Sequence, residues 1–434
     1  MSGTPEGEPP SPSSEAPPSA VLHLSCLVNG PVVGPEGQRA GRLVDVIVRL
    51  GDGGHPPVSG LVVDAGGEDR FVPVADIESL DGDETRLKVE PRGLGRFERR
   101  RGEVLLSKDL SSRHLIHVEG ARLVRANEIE LACVGGRWQV IGVDTSSKPV
   151  LRRMLPRSLR ERVRSGGVVD WADIEPFVGH VPTARLRIPF RKLARLHPAQ
   201  LADLVEAASH EEGEEIIRAV GADRALEADV FEELDPEHQV EFLRSRSDEE
   251  AARVLAAMNP DDAVDLLAEL DQDRRLPILE SLPATRQRKI RALLSYHPES
   301  AGGLMNPDFV AVPESRKVSD ALAAVKASTA PAEAAGVVFV TDGARHLAAT
   351  VPVVELLRAD PDAALASVGR PDPVTLDPDA DLHEVIRKMT DFNLAVAPVV
   401  DEDGRILGQI TVDDVLELML PSGWRRQYGM ASPD

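Results

Sequence analysis

Carboxylates are the side chains in this sequence whose spacing could do chemistry, and the chemistry they suggest is cation binding. Asp261 and Asp265 follow the helix-start signal Asn259-Pro260 and stand four positions apart. A helix over this stretch puts both on one face, opposite Leu266 and Leu270. The plainer use of Asp261 and Asp262 is to favour the positive end of that helix. Over the whole chain 72 acidic residues stand against 50 basic ones, a net charge of −22. That balance suits cations and argues against a general nucleic-acid partner, although acidity is also a common solubility device. Aromatic residues make up 3% of the chain, too few for a base-stacking platform. There is no Gly-rich phosphate loop ending in Lys-Ser/Thr, no HExxH and no GxSxG, and the 11 histidines are scattered. The expectation is a protein that binds rather than an enzyme.

The elements that must position these acids are legible in outline. With 434 residues the chain is long enough for about three or four domains. Cys26 and Cys133 form neither a disulfide framework nor a zinc knuckle, which suits a reducing compartment. No apolar run approaches the ~20 residues needed to span a bilayer, and the start lacks a basic end followed by an apolar stretch. The expected location is cytoplasmic, with peripheral contact at the inner face of a membrane left open by the basic stretches Arg96–Arg101, Arg152–Arg164 and Arg185–Arg195. A solvated face or pairing with the acidic remainder is the preferred reading of those stretches.

Residues 1–20 are rich in Pro, Ser and Glu and are expected to be disordered. Residues 21–97 carry short β-branched runs such as Gly60-Leu61-Val62-Val63 and Phe71-Val72-Pro73-Val74, broken by Gly, Asp and Pro. They predict a small β-barrel. Residues 98–190 predict a second, with basic linkers, because Val74-Ala75-Asp76-Ile77 recurs in kind as Trp171-Ala172-Asp173-Ile174. The two resemble PRC-barrel modules, a family of docking and assembly units, and that resemblance implies no chemistry.

Residues 191–299 place apolar residues at helical spacing, as in Leu201/Leu204/Val205 and Ala263/Leu266/Leu267/Leu270. Asp235-Pro236, Asn259-Pro260 and His197-Pro198 mark helix starts. Five to seven short helices in a superhelical stack are expected. Between Leu196 and Ser300 there are 25 acidic residues against 11 basic ones, so much of the negative charge sits here. The joint Ser300–Pro307 then turns the chain, with Gly302 and Gly303 as candidate hinge residues and Pro307 as a helix stop. Residues 300–362 and 363–420 each read as β-α-β-β-α, with Asp342-Gly343 and Asp403-Gly404 as hairpin signals. Residues 421–434 form a tail. The fold class expected is multidomain α+β.

Pro398-Val399-Val400-Asp401, Gly404-Arg405-Ile406-Leu407-Gly408 and Ile410-Thr411-Val412-Asp413-Asp414-Val415-Leu416 resemble the signature of a CBS domain, and the two copies a CBS pair. Together with the acidic helices and the joint Ser300-Ala301-Gly302-Gly303-Leu304-Met305, this half resembles the cytosolic part of MgtE magnesium channels, without the membrane pore that follows it in that family. The resemblance implies Mg2+ ligands at Asp261 and Asp265, more weakly at Asp229, and at Asp381 and Asp414 on the CBS side. Magnesium takes hard oxygen ligands and is held by one or two carboxylates, so facing acids that repel without the ion would close upon it. Asn393 and His383 depart from acids of the family, which implies fewer or weaker ions. The spacing of Thr411 and Asp414 is that which CBS modules use on the ribose of an adenine nucleotide such as ATP. The first module has Pro352 and Glu355 there, so at most one such site is implied. A homodimer through the CBS pair and a separately encoded membrane channel as partner are the further implications. An adenine-nucleotide-responsive module without metal sensing, or an assembly scaffold, are the alternatives.

Overall fold

A computed structural model describes residues 19–51, 54–146, 167–177, 192–328, 330, 332 and 334–419. Residues 1–18 of the expected disordered start, the basic stretch Arg152–Arg164, most of Arg185–Arg195 and the C-terminal tail lie outside the described residues, while Ser19 and Ala20, also expected to be disordered, belong to the first strand. The chain divides into two compact units, Met1–Ala219 and Val220–Asp434. Among the described residues no helix is long and apolar enough to cross a membrane.

The first unit is rich in strands, as the β-branched runs predict. After β1 (Ser19–His23) and the single-turn helix α1 (Leu24–Leu27) come β2 (Pro31–Val33), β3 (Arg39–Arg49), β4 (Val58–Asp64) and β5 (Asp69–Pro73). They are followed by β6 (Ile77–Leu80), β7 (Thr85–Leu87), β8 (Gly95–Arg96) and β9 (Glu103–Leu105). One sheet runs β6-β7-β2-β3-β4-β5-β8, with β9 added on β3. The second half contributes β10 (His114–His117), β11 (Arg122–Arg125), β12 (Glu128–Val134), β13 (Arg137–Asp144), β14 (Val168–Asp170) and β15 (Ile174–Pro176). These form the sheets β1-β12-β13-β14 and β11-β10-β15. The halves are interleaved: β1 pairs with β12, and β9 pairs with β3. Their apolar faces share one core that runs from Leu24 and Leu43 through Leu106 to Ile129 and Trp171. The two recurring Ala-Asp steps adopt the same form, a 3-10 turn that feeds directly into a strand.

The basic stretch Arg96–Arg101 is partly spent inside this unit. Arg99 pairs with the buried Asp109 at 3.1 Å, and the Arg100 guanidinium lies 4.3 Å from the centre of the Phe71 ring. Those contacts support the intramolecular reading of this cluster. Helix α2 (Pro198–Ala207) and most of α3 (His210–Val220) also fall in this unit, where His114 and Glu212 meet at 3.3 Å.

The second unit begins with α4 (Arg224–Glu233), α5 (Pro236–Arg244), α6 (Asp248–Ala257), α7 (Pro260–Glu269), α8 (Gln272–Ser281) and α9 (Ala284–Leu293). With α2 and α3 that makes eight short helices among the described residues, one more than the upper expectation. Pro198, Pro236 and Pro260 open their helices, where the missing N–H costs nothing. Neither Asp235 nor Asn259 caps its own helix through its side chain, however. Phe231, Phe242, Leu255, Leu266 and Ile278 are buried between these helices.

The single-turn helix α10 (Ala301–Leu304) then leads into the CBS pair. Its first module is β16 (Val310–Pro313), α11 (Val318–Ala327), β17 (Val337–Thr341), β18 (Leu347–Pro352) and α12 (Val353–Arg358), closed by β19 (Arg370–Pro371). β16 runs parallel to β17, and β17, β18 and β19 pair antiparallel. The second module is α13 (Leu382–Asp391), β20 (Val396–Val400), β21 (Ile406–Thr411) and α14 (Val412–Met419). Its first strand shrinks to a parallel bridge between Leu376 and Val399. The hairpin loops are longer than a two-residue Asp-Gly turn. Asp342 Oδ1 accepts from the N–H groups of Ala344 and His346, and Asp401 Oδ1 from those of Asp403 and Arg405. The left-handed residue comes three places after that aspartate, at Arg345 and Gly404. Asp342 and Asp401 therefore organise the turns, and only the second has a glycine at the strained position.

Candidate functional site

The joint Ser300–Pro307 is bound to the second CBS module along its length. The N–H groups of Ala301 and Gly302 donate to the carbonyls of Ala380 and Pro378, both at 2.8 Å. Asn306 and Gln409 exchange backbone hydrogen bonds at 2.8 and 3.0 Å. Gly302 and Gly303 sit inside this packing, with no positive φ at either. A Cβ on Gly303 would fall 2.3 Å from the His297 carbonyl oxygen, and one on Gly302 would fall 2.5 Å from the Tyr296 ring. In this arrangement the two glycines serve close approach. Gly303→Ala is expected to destabilise the docked joint by about 1–3 kcal/mol, more than Gly302→Ala, because a backbone oxygen yields less than a ring. Faster amide hydrogen exchange over 300–309 is the readout.

Close to the joint the structure gathers acids from separate elements. Pro260 opens α7, and this places Asp261 in its first turn. The carboxyl of Asp261 accepts from Asn306 Nδ2 at 3.2 Å. Burial pushes this carboxyl up to about 8, the charge of Asp414 on the second CBS module adds to the rise, and Glu232 adds further. Glu232, near the end of α4, accepts from the N–H of Asn259 at 2.5 Å and from its Nδ2 at 3.2 Å. It thus satisfies a backbone donor at the start of α7, a task that Asn259 does not perform for itself. Burial raises Glu232 to about 7 in spite of that hydrogen bond, with Asp229 contributing and Arg286 opposing.

Asp414 is engaged on its own module. It accepts from the Thr411 N–H at 3.1 Å and from the Thr411 hydroxyl at 2.5 Å, a closed arrangement at the start of α14. The corresponding acid of the first module, Glu355, forms an ion pair with Arg370.

The other expected residues lie apart from this group. Asp265 is exposed, and its carboxyl is raised to about 6 by desolvation and then by Glu269 one turn on, with solvent screening both. Asp229 is exposed on α4, one turn before Glu232, where its charge reaches the group at its rim. Asp381 is exposed and caps α13 by accepting from the N–H of Glu384 at 2.8 Å. Asn393 ends that helix at φ 49°, a left-handed position that asparagine tolerates.

The structure adds Glu232, Asn306, Asp308 and Arg286, none of which a periodic pattern marks. Asn306 and Asp308 flank the helix-stopping Pro307, which is the one local signal. Asp261 and Asp414 carry partly buried carboxylate oxygens, hard donors of the kind that a divalent cation such as Mg2+ accepts.

The acids gather where the helical domain meets the second CBS module. Residues 196–299 match the MgtE intracellular N domain, and residues 365–421 match the CBS domain. This half of the chain is homologous to the cytosolic domains of MgtE. The chain is 38% identical over 137 residues to the magnesium transporter MgtE of Thermus thermophilus, covering 32% of this chain and 30% of that protein. The chain spans between 30% and 43% of the length of three curated magnesium transporters that it matches. Among solved structures, the soluble part of a magnesium transporter aligns with a TM-score of 0.50 at 25% identity, over 54% of this chain and 91% of that one. The cytosolic domain of the Mg2+ channel MgtE in complex with ATP aligns with a TM-score of 0.49 at 30% identity, over 53% of this chain and 94% of that one.

Proposed function

We propose that this chain is a non-enzymatic magnesium sensor, in which Mg2+ stabilises the helical domain against the CBS pair. The observation that carries this reading is the partly buried Asp261 carboxyl, which is held up by burial and then by the charge of Asp414, one acid from each domain. Ionising Asp261 near Asp414 in a poorly solvated contact opposes docking, so the carboxyl keeps its proton at neutral pH, and a divalent ion that displaces the proton reverses that sign. Asp261 and Asp414 would hold the ion, Glu232 would lower its energy from behind, and Asp229, Asp265 and Asp381 would act on its approach. The ion supplies positive charge and nothing else. In this reading the protein is cytoplasmic, and a separately encoded magnesium channel is the partner that reads the change.

Two features support further parts of this reading. Leu357, Leu416, Leu418 and Met419 on α12 and α14 are between 51% and 68% exposed, an apolar surface suited to a homodimer through the CBS pair. Thr411 and Asp414 are hydrogen-bonded at the position where CBS modules hold a ribose. That contact favours a second reading, in which an adenine nucleotide such as ATP is the ligand sensed. The test is small-angle scattering of the full chain, with chymotrypsin cleavage near Leu304, across a magnesium titration. Magnesium is expected to compact the protein and protect the joint. Asp261→Ala with Asp414→Ala should abolish both effects. If magnesium leaves both readouts unchanged while ATP shifts them in a manner lost in Thr411→Ala, the nucleotide reading replaces the metal reading.

A further inference from the structure

The acidic group carries its own counter-cations, and they come from the helical side. Arg286 and Lys289 stand three positions apart on α9, hence on one face. Both reach Asp308, which lies just ahead of β16: Arg286 Nη1 is 3.6 Å from its Oδ2, and Lys289 Nζ pairs with its Oδ1. Asp308 belongs to the CBS side, since its carbonyl oxygen accepts from the buried Gln409 Nε2 at 3.0 Å and its N–H donates to Asn306 Oδ1 at 2.8 Å. The Arg286 side chain is only 14% exposed, and its Nε is buried without a hydrogen-bond acceptor. Burial lowers the Arg286 pKa from its ordinary value, and the charges of Asp308, Asp261, Glu232 and Asp262 oppose that fall. The guanidinium is thus turned toward the acids that a divalent ion would neutralise, and held for charge rather than for a full set of hydrogen bonds.

We propose that Arg286 and Lys289 form a built-in cationic clamp on Asp308 that holds the helical domain docked to the CBS pair when no divalent ion is bound. The clamp rests on the docked arrangement described above and adds a regulatory consequence to it. Docking then has a basal level set by the chain itself, and an ion adds to that level rather than creating it. Since the guanidinium also acts on Asp261 and Glu232, which the ion would neutralise, removing Arg286 enlarges the part of docking that depends on magnesium.

The experiment is amide hydrogen exchange over 259–270, 284–293 and 300–309 in the full chain, in EDTA and then in millimolar MgCl2. Arg286→Gln with Lys289→Gln should exchange about tenfold faster than wild type in EDTA, between the effects of exposed and buried ion pairs. Magnesium should return that variant toward the wild-type rate. Asp308→Asn alters the other side of the clamp and should reproduce the EDTA effect, which separates clamp loss from a local folding defect on α9. Unchanged exchange in both variants overturns the clamp. So does a wild type that already exchanges in EDTA as fast as they do. If the variants open in EDTA and magnesium slows exchange in neither wild type nor variants, the clamp stands and the magnesium reading falls.

Discussion

Asp261→Asn is expected to stabilise the 220–434 unit at pH 8 in EDTA by about 3 kcal/mol and to flatten its dependence on pH. The sign follows from where the carboxyl titrates. An unfolded aspartate loses its proton near 3.8, whereas burial and then Asp414 hold the folded one up at about 8. Between those values the folded chain binds the extra proton, so stability is fully present below about pH 4 and is lost as pH rises toward 8. One such group removes at most about 1.4 kcal/mol per pH unit. Asparagine keeps the shape, still accepts a hydrogen bond through its side-chain oxygen, and carries no charge to be desolvated or repelled. Calorimetric unfolding of the full chain at pH 5, 6.5 and 8 checks this. Wild type should lose stability across the series, the variant should not, and magnesium should stabilise only wild type. A variant that loses stability in parallel with wild type would show that other acids set the slope.

Gln409→Ala is expected to cost about 3 kcal/mol. Gln409 is fully buried, and its Nε2 donates to the carbonyls of Asp308 at 3.0 Å and Ala334 at 2.9 Å. One side chain therefore ties the segment that enters the first CBS module to a strand of the second. Alanine leaves two carbonyls short of a donor and opens a cavity. Leucine restores most of the volume but not the donor, so Gln409→Leu should recover about half of the loss. Hydrogen exchange over β20 and β21 reads both variants. Full recovery with leucine would reduce the role of Gln409 to filling space.

The CBS pair was the part most legible in advance. Helices form at Val318–Ala327 and Leu382–Asp391, one in each of the expected β-α-β-β-α copies. Short-range pattern suffices there, because each element buries one face against its own hairpin. The helical domain was legible for a related reason, since proline opens three of its helices at the position where the lost N–H is harmless. The two Asp-Gly steps mark hairpins that do form, but not which residue is left-handed in each loop. Asp403-Gly404 and Asp342-Gly343 look alike in sequence, yet the left-handed residue of the first loop is Arg345, because the aspartate that organises each loop lies three places earlier.

At the site the division is sharper. The residue types and spacing by themselves determined the α+β architecture, the acidic helical domain, the joint at Ser300–Pro307, and Asp261 as an acid at a helix start. Only the tertiary structure decided which acids share one contact. It brings Asp261 within the influence of Asp414 and Glu232, leaves Asp265 exposed, and turns Arg286 and Lys289 onto Asp308. The reason is physical. Helical periodicity places a side chain on a face of its own helix, whereas a charge is governed by what lies across a contact and by how much water remains there. Those quantities depend on residues from 19 to 153 positions away in the chain, and no local pattern carries them.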